Sequence, residues 1–241
     1  AYISSGTWSL LGVELHEPDL SPRAFELNLT NEGGVDGTYR LLKNIMGLWL
    51  VQECRRSFAK RGSASDYAAL VQAAESAPAF RSLIDPDDAG FLSPTDMPEA
   101  IAQFCRDTGQ PVPGTEGEFI RCILESLAIK YATVLNWLKE MTGSFISAVN
   151  IVGGGSRNRL LNQFTANACL RPVLAGPVEA TVLGNVLVQA RACGELDSLA
   201  DIRRVARESS DVEEIRPEHE SSWIEAQQRM RLLGFRRRTA G

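Results

Sequence analysis

The sequence predicts an α/β protein in which a mixed β-sheet is flanked by helices. Three observations lead to this prediction. The first forty residues alternate as β-strands do, and much of the chain between residues 45 and 142 carries apolar side chains at helical spacing. Residues 147–192 then follow the order strand, glycine loop, helix, strand and helix, which implies parallel strands joined by a right-handed crossover.

The composition narrows the class of protein. The chain has 241 residues, of which 44% are hydrophobic and 23% are charged, a balance typical of a globular protein with a sizeable core. No segment approaches the roughly 20 apolar residues of a membrane helix, so no membrane partner is expected. Two observations argue against a nucleic-acid partner. The net charge is −5, and a basic run occurs only at Arg236–Arg238.

Histidine and cysteine usage disfavours metal sites. The two histidines, His16 and His219, lie far apart, which also disfavours Ser/His/Asp catalysis. The five cysteines show no C-x-x-C spacing, and all except Cys193 fall in helical patterns among apolar neighbours. We expect mostly buried thiols, a cytoplasmic protein without a signal peptide, and a Cys105–Cys122 pairing that the sequence leaves open.

Alternation and turn residues predict the N-terminal elements. Strands are expected within residues 2–5 and 8–15, and a third at Phe25–Thr30, where Phe25, Leu27 and Leu29 would share one face. The Gly-rich cluster Asn31–Gly37 predicts a turn into a fourth strand at 38–42.

Helical spacing predicts the middle of the chain. A capping box, Thr115 with Glu118, opens the longest helix. The predicted helices run from Ile45 to near Gly62, from Ser65 to Ala77, from Pro98 to Thr108, and from Thr115 to Gly143.

The C-terminal third contains the sharpest local pattern. In order, it comprises a strand at 147–152, a loop at Gly153–Asn158, a helix at 159–169, a strand at 171–175 and a helix at 177–192. The remainder is predicted to be helical and charged, with residues 226–241 forming a peripheral or flexible tail.

A strand, glycines and a helix in succession form an arrangement suited to phosphate or ribose. Glycines let the backbone approach a ligand, and the helix start offers free N–H groups. The other interpretation of Gly153–Gly155 is a tight turn without a ligand. Asn158 stands where the dinucleotide fingerprint G-x-G-x-x-G requires glycine, and no P-loop pattern occurs in the chain.

Two further segments are weaker candidates. The turn Ser4–Thr7 could direct backbone and hydroxyl donors at phosphate oxygens, or be an ordinary hairpin turn. Asn44, Leu48 and Gln52 are spaced to form one stripe of a helix, whose amides could contact a base or phosphate. Helix capping by Asn44 and a solvated Gln52 are the alternatives. No residue of the chain stands out as a general base.

Taken together, these segments resemble the FGGY carbohydrate kinases over residues 1–225. The matching segments are Ser4–Ser9, Thr30–Gly34, Leu42–Leu50, Val152–Ser156 and Ala175–Ala180. The resemblance implies an actin-like ATPase (ribonuclease H-like) fold of two lobes, with ATP and the sugar between them. This chain, residues 1–241, would be the C-terminal nucleotide-binding lobe.

The resemblance also implies the site residues. Gly6 and Thr7 would touch the β- and γ-phosphates, Gly154 and Gly155 would pass the ribose and α-phosphate, and Asn158 would bond the nucleotide. Asn44 and Gln52 match polar positions of the nucleotide pocket. The ligands implied are ATP or ADP, Mg²⁺ and a sugar.

The resemblance places the catalytic aspartate in a Gly-His-Asp segment before Ala1, together with a sugar-binding N-terminal lobe. No catalytic residue is therefore assigned within this chain, which we expect to be inactive alone. A non-catalytic actin-like nucleotide-binding or regulatory module remains the alternative. A dinucleotide-binding domain is disfavoured by Asn158 and by the lack of a ribose-binding acid at the expected distance.

Overall fold

A computed structural model describes residues 1–218 and 220–239, with side chains described except at 220 and 234–239. Its strands form one seven-stranded mixed sheet in the order β3-β4-β2-β1-β5-β6-β7. The strands are β1 (Tyr2–Ser5), β2 (Trp8–Leu15), β3 (Thr30–Gly33), β4 (Tyr39–Met46), β5 (Val149–Val152), β6 (Val173–Ala175) and β7 (Glu213–Ile215). Strands β1, β5 and β6 are parallel, and the remaining pairs are antiparallel.

The helices are α1 (Pro22–Glu26), α2 (Trp49–Lys60), α3 (Tyr67–Ser76), α4 (Met97–Asp107), α5 (Glu116–Thr142), α6 (Arg159–Cys169), α7 (Ala180–Ala192), α8 (Leu199–Glu208) and α9 (Glu220–Thr239). None of the helices within the described part of the chain is long and apolar enough to cross a membrane.

The core lies where α5 packs against the sheet and against α3 and α6. Tyr131 of α5 is fully buried, and its hydroxyl lies 2.6 Å from Ser9 Oγ of β2. This buried hydrogen bond satisfies both polar groups, which would otherwise be costly inside an apolar core.

Most predicted helices are confirmed. Thr115 caps α5 by accepting from the Glu118 N–H, and α5 ends at Thr142 with Gly143 as its C-cap at φ +62°. The Glu118 carboxylate accepts from the Gly114 N–H at 2.6 Å, one residue before the partner that a capping box predicts. The strand–loop–helix–strand order of β5, α6 and β6 is also confirmed.

The strand predicted at Phe25–Thr30 is wrong. Residues Pro22–Glu26 form α1, because Ser21 accepts from the Ala24 N–H and Pro22 begins the helix. Phe25 is 87% exposed, so the alternation did not mark a buried face. The third strand is Thr30–Gly33, which lies largely within the segment predicted as a turn.

The helix predicted from Ile45 begins later, because β4 continues to Met46. Strand β4 pairs with β2 along its whole length, from Tyr39 opposite Leu15 to Met46 opposite Trp8. Backbone hydrogen bonds to β2 therefore hold Asn44 in the sheet, despite the helical spacing of the apolar residues around it.

The C-terminal segment is better packed than expected. The sequence predicts a peripheral or flexible tail from residue 226, whereas Ala226 and Leu233 of α9 are buried in the core. Residues 240 and 241 of that tail lie outside the described residues.

The prediction that most thiols are buried is confirmed, since four thiols are buried and only Cys193 is exposed. A hydrogen bond from Cys122 lowers the pKa of the Cys105 thiol.

Candidate functional site

The parallel pairing of β1 with β5 brings two distant turns to one edge of the sheet. Ser4 of β1 lies opposite Val152 of β5, and both strands run in the same direction. The Gly6–Thr7 turn after β1 and the Gly153–Arg157 loop after β5 therefore leave the sheet side by side. Parallel strands place such loops where ligands of α/β proteins usually bind.

The three consecutive glycines have different roles. Gly153 has φ +86°, and a methyl group on its α-carbon would lie 2.9 Å from the Ser5 carbonyl oxygen. A methyl group on Gly155 would lie 2.7 Å from Ser5 Cβ. At Gly154 no atom lies within 4 Å of that position, and the residue is exposed. Gly153 and Gly155 are therefore needed for packing on β1, whereas Gly154 leaves room for a ligand.

Free backbone donors remain in the glycine loop. Gly154 and Gly155 begin a 3-10 helix that runs to Arg157. The N–H groups of these two glycines donate to no acceptor within residues 1–218 and 220–239. Amides in the first turn of a helix have no partner within that helix and suit an anion.

The Gly6–Thr7 turn is held by the segment that starts α2. The Gly6 N–H donates to the Trp8 carbonyl at 2.9 Å, so this amide is already used within the turn. The Thr7 carbonyl accepts from the N–H groups of Gly47 and Trp49, at 3.2 and 3.0 Å. Thr7 itself is exposed, so its side-chain hydroxyl is one donor that the turn can offer.

One cleft of about 910 Å³ includes both turns. Every ATP-binding residue predicted from the sequence lines it, except Asn44. The lining consists of Gly6, Thr7, Leu48, Gln52, Tyr67, Ala68, Val71, Gln72, Glu75, Gly154, Gly155, Arg157, Asn158, Arg159, Leu160, Gln163 and Ile215. This volume is within the range of small-molecule sites.

Asn44 is the exception because it belongs to β4 and not to a helix. It lies opposite Leu10 of β2, and its side chain is exposed outside the cleft lining. The predicted stripe of Asn44, Leu48 and Gln52 is therefore wrong. Leu48 and Gln52 do lie together at the start of α2, where the Gln52 N–H donates to the Leu48 carbonyl.

Asn158 lies in the cleft wall, and most of the hydrogen-bonding groups of its side-chain amide already have partners. Its side-chain oxygen accepts from the Leu161 N–H at 2.9 Å and so caps α6. Its Nδ2 donates to the Tyr67 hydroxyl at 2.8 Å. Asn158 is 4% exposed, and one N–H of its amide remains beyond these contacts. Its first role in the structure is thus to join α6 to α3.

Helix α3 forms a wall of the cleft that the sequence analysis did not identify. Tyr67, Val71 and Glu75 follow one another at intervals of four residues, so one helix face lines the site. Burial raises the pKa of the Tyr67 hydroxyl, and the Asn158 hydrogen bond opposes that shift in part. The i, i+4 spacing was the available signal, but many core-facing helices show the same spacing.

Charged side chains also flank the glycine loop. Arg157 and Arg159 both line the cleft and are both exposed, and Arg159 pairs with Glu213. Within the described residues, no group of three or more His, Cys, Asp or Glu side chains could hold a metal ion.

Comparison with known proteins places these features in a family. The model of the FGGY family of carbohydrate kinases, C-terminal domain, matches residues 1–193. A rhamnulokinase from Bacteroides thetaiotaomicron is 48% identical over 223 residues, covering 92% of this chain and 45% of that protein. A rhamnulokinase from Pectobacterium carotovorum is 47% identical over 234 residues, covering 97% of this chain and 46% of that protein. The chain thus spans about half the length of the curated relatives it matches.

Solved structures show the same fold at low sequence identity. A xylulose kinase from Rhodospirillum rubrum superposes with a TM-score of 0.67 at 20% identity, covering 96% of this chain and 46% of that one. Plasmodium falciparum glycerol kinase with ADP gives a TM-score of 0.65 at 16% identity, covering 94% of this chain and 45% of that one. The predicted actin-like ATPase fold is confirmed.

Proposed function

The chain belongs to the FGGY family of carbohydrate kinases, and on that premise we propose that it is the ATP-binding lobe of a sugar kinase. In the whole protein, the γ-phosphoryl group of ATP would be transferred to a sugar hydroxyl. We propose L-rhamnulose as the sugar and L-rhamnulose 1-phosphate as the product, since the relatives at 47–48% identity are named rhamnulokinases.

The convergence of two turns in one cleft carries this proposal. The free amides of Gly154 and Gly155 and the hydroxyl of Thr7 would bond the oxygens of a polyphosphate. These groups come from turns about 150 residues apart in sequence, and the pairing of β1 with β5 sets their spacing. Donors fixed in this way need little reorganisation when the phosphates bind.

The rest of the cleft suits a nucleoside. Tyr67 and Val71 offer apolar surface on α3, and Gln52 and Gln72 offer neutral amides. A purine base is flat and carries both donors and acceptors, so it matches apolar walls with a few amides. Gly154 would let the ribose and α-phosphate pass close to the backbone, since nothing lies within 4 Å of its missing side chain.

The reaction would require groups beyond those in the cleft. The sugar oxygen would attack the γ-phosphorus, the bond from that phosphorus to the β–γ bridging oxygen would break, and ADP would leave. The family resemblance assigns the hydroxyl proton to an aspartate preceding Ala1. Positioning and electrostatic stabilisation do most of the work in phosphoryl transfer, and this lobe would supply both at the phosphate chain.

Mg²⁺ is the metal that we propose accompanies ATP. Among the residues that line the cleft, Thr7 offers a hydroxyl and Glu75 a carboxylate, and the described residues contain no metal-binding cluster. Mg²⁺ in such enzymes is usually bound through one or two carboxylates together with substrate phosphates. The described residues do not form that site by themselves, so we assign no step to a metal held by this chain.

A substrate screen on the full-length protein tests the proposal. L-rhamnulose, L-fuculose, D-xylulose and glycerol are supplied in parallel with ATP and Mg²⁺, and ADP release is measured. We expect turnover with L-rhamnulose and none from the 241-residue chain alone. Nucleotide binding by the full-length protein without turnover of any sugar would favour the alternative, a non-catalytic nucleotide-binding module.

A further inference from the structure

Arg157 ends the glycine loop and borders two clefts. It is part of the lining of the 910 Å³ cleft and of a second cleft of about 560 Å³. The 3-10 helix that carries it begins at Gly154, so the guanidinium and the free amides belong to the same turn. A cation and unbonded amides are thus presented together at the sheet edge.

The guanidinium of Arg157 has no partner in the described part of the chain. Within that part its guanidinium forms no ion pair or hydrogen bond and contacts no aromatic ring, and the residue is exposed. Asp211 and Glu213 line the second cleft with it, but neither pairs with it. Glu213 is engaged by Arg159 instead.

An unpaired cation beside the glycine loop is notable in a chain of net charge −5. Most of the other arginines of this fold are tied to carboxylates or carbonyls, as Arg121 is to Glu125 and Arg203 is to Glu14. An arginine fork is well matched to phosphate oxygens, and its charge strengthens the hydrogen bonds it donates.

We propose that Arg157 is a phosphate-binding residue of the nucleotide site, pairing with the phosphate chain that the Gly154 and Gly155 amides hold. The inference rests on the proposed nucleotide-binding function and identifies a contact that the sequence analysis did not assign. It implies that Arg157 recognises the charge of the phosphates and contributes nothing to binding of the nucleoside portion.

The test compares Arg157 with Arg203, an arginine outside the cleft lining. Isothermal titration of the full-length protein with ATP and with adenosine is performed for the wild type, Arg157→Gln and Arg203→Gln. We expect Arg157→Gln to weaken ATP binding about tenfold and to leave adenosine binding unchanged. Arg203→Gln should change ATP affinity less than twofold, because Arg203 pairs with Glu14 and lies outside the cleft lining. The loss in Arg157→Gln should shrink as KCl is raised.

The possible outcomes distinguish failure of the Arg157 inference from failure of the proposed nucleotide-binding function. Unchanged ATP affinity in Arg157→Gln would overturn this inference and leave the proposed function standing. An equal loss for ATP and adenosine would also overturn it, because it would mean that the substitution distorts the loop. A wild-type full-length protein that fails to bind ATP would overturn the proposed function and this inference with it. Thermal unfolding of each variant checks that the fold is retained.

Discussion

Gly155 lies against Ser5 so closely that a methyl group on its α-carbon would fall 2.7 Å from Ser5 Cβ and 3.0 Å from the Ser5 carbonyl oxygen. This contact joins the two turns of the candidate site, because Ser5 ends β1 and Gly155 lies in the loop after β5. The glycine loop is thus positioned by packing on β1 before any ligand is considered.

The first prediction concerns this contact. Gly155→Ala should lower the free energy of unfolding by about 1–3 kcal/mol, since the added methyl group overpacks the junction with Ser5. Gly154→Ala should change it by less than about 0.5 kcal/mol, because its side-chain position is open. Urea unfolding of the two variants makes the comparison, and equal stabilities would contradict the assigned packing roles.

The second prediction uses the open position at Gly154 to test ligand binding. Gly154→Asp should abolish ATP binding and leave the fold intact, because a carboxylate would occupy the phosphate approach. Isothermal titration measures the binding. Gly33→Asp is the matched control, since Gly33 is also open and lies outside the cleft lining. Retained binding in Gly154→Asp would exclude the glycine loop as the nucleotide site.

The third prediction separates two residues that the sequence grouped together. Gln52→Ala should weaken ATP binding several-fold, because Gln52 lines the cleft, whereas Asn44→Ala should leave the affinity unchanged, because Asn44 lies on β4 outside it. Titration with ATP measures both variants. A loss in Asn44→Ala matching that in Gln52→Ala would mean that the ligand extends beyond the cleft described here.

The fourth prediction concerns the link between α3 and α6. Tyr67→Phe should cost about 1 kcal/mol of unfolding free energy by removing the 2.8 Å hydrogen bond to Asn158. Asn158→Ala should cost about 1–2 kcal/mol, because it also removes the α6 cap. In the double variant the losses should fall short of their sum by about 0.5 kcal/mol or more. Strict additivity would show that the two side chains do not interact.

The fifth prediction follows from a buried carboxyl in α5. Burial raises the pKa of Glu125 above its ordinary value of 4.5, although hydrogen bonds from Arg121 and the Phe80 N–H oppose the shift. The folded protein then holds this proton more tightly than the unfolded chain does. The stability that Glu125 contributes is present below pH 4.5 and is lost as the pH rises through the raised pKa.

Glu125→Gln should therefore flatten the dependence of unfolding free energy on pH across that window. Urea unfolding at pH values from about 4.5 to 7.5 measures it for the wild type and the variant. Glu140→Gln, an exposed change on the same helix, is the control and should follow the wild-type profile. Parallel profiles for the wild type and Glu125→Gln would show that the Glu125 pKa is not raised.

Local sequence signals correctly predicted the helices whose capping residues and tertiary environment favour the same structure. The caps at Asp96 and Thr115 and the stop at Gly143 fixed α4 and α5, because these residues satisfy helix ends through nearby backbone groups. At Phe25 the local signals conflicted: a short apolar alternation favoured a strand, but Ser21 and Pro22 started a helix. The helix forms because the Ser21 side chain accepts a hydrogen bond from a specific backbone donor, the Ala24 N–H.

Pairing between distant segments determined the secondary structure of two stretches whose sequence periodicity predicted it wrongly. The helical spacing of Asn44, Leu48 and Gln52 is real in the sequence, yet hydrogen bonds to β2 keep Asn44 in the sheet. Strand β7 was missed for the same reason, since its three residues become a strand only beside β6.

By itself, the sequence determined the α/β class, the glycine loop between β5 and α6, and the types of group suited to a nucleotide. These follow from hydrogen bonding and side-chain patterns within short stretches of chain. The tertiary structure alone decided which of those groups share a cleft, that α3 supplies a wall of it, and that Asn158 is bonded to Tyr67. Such contacts join residues far apart in sequence, so no local pattern encodes them.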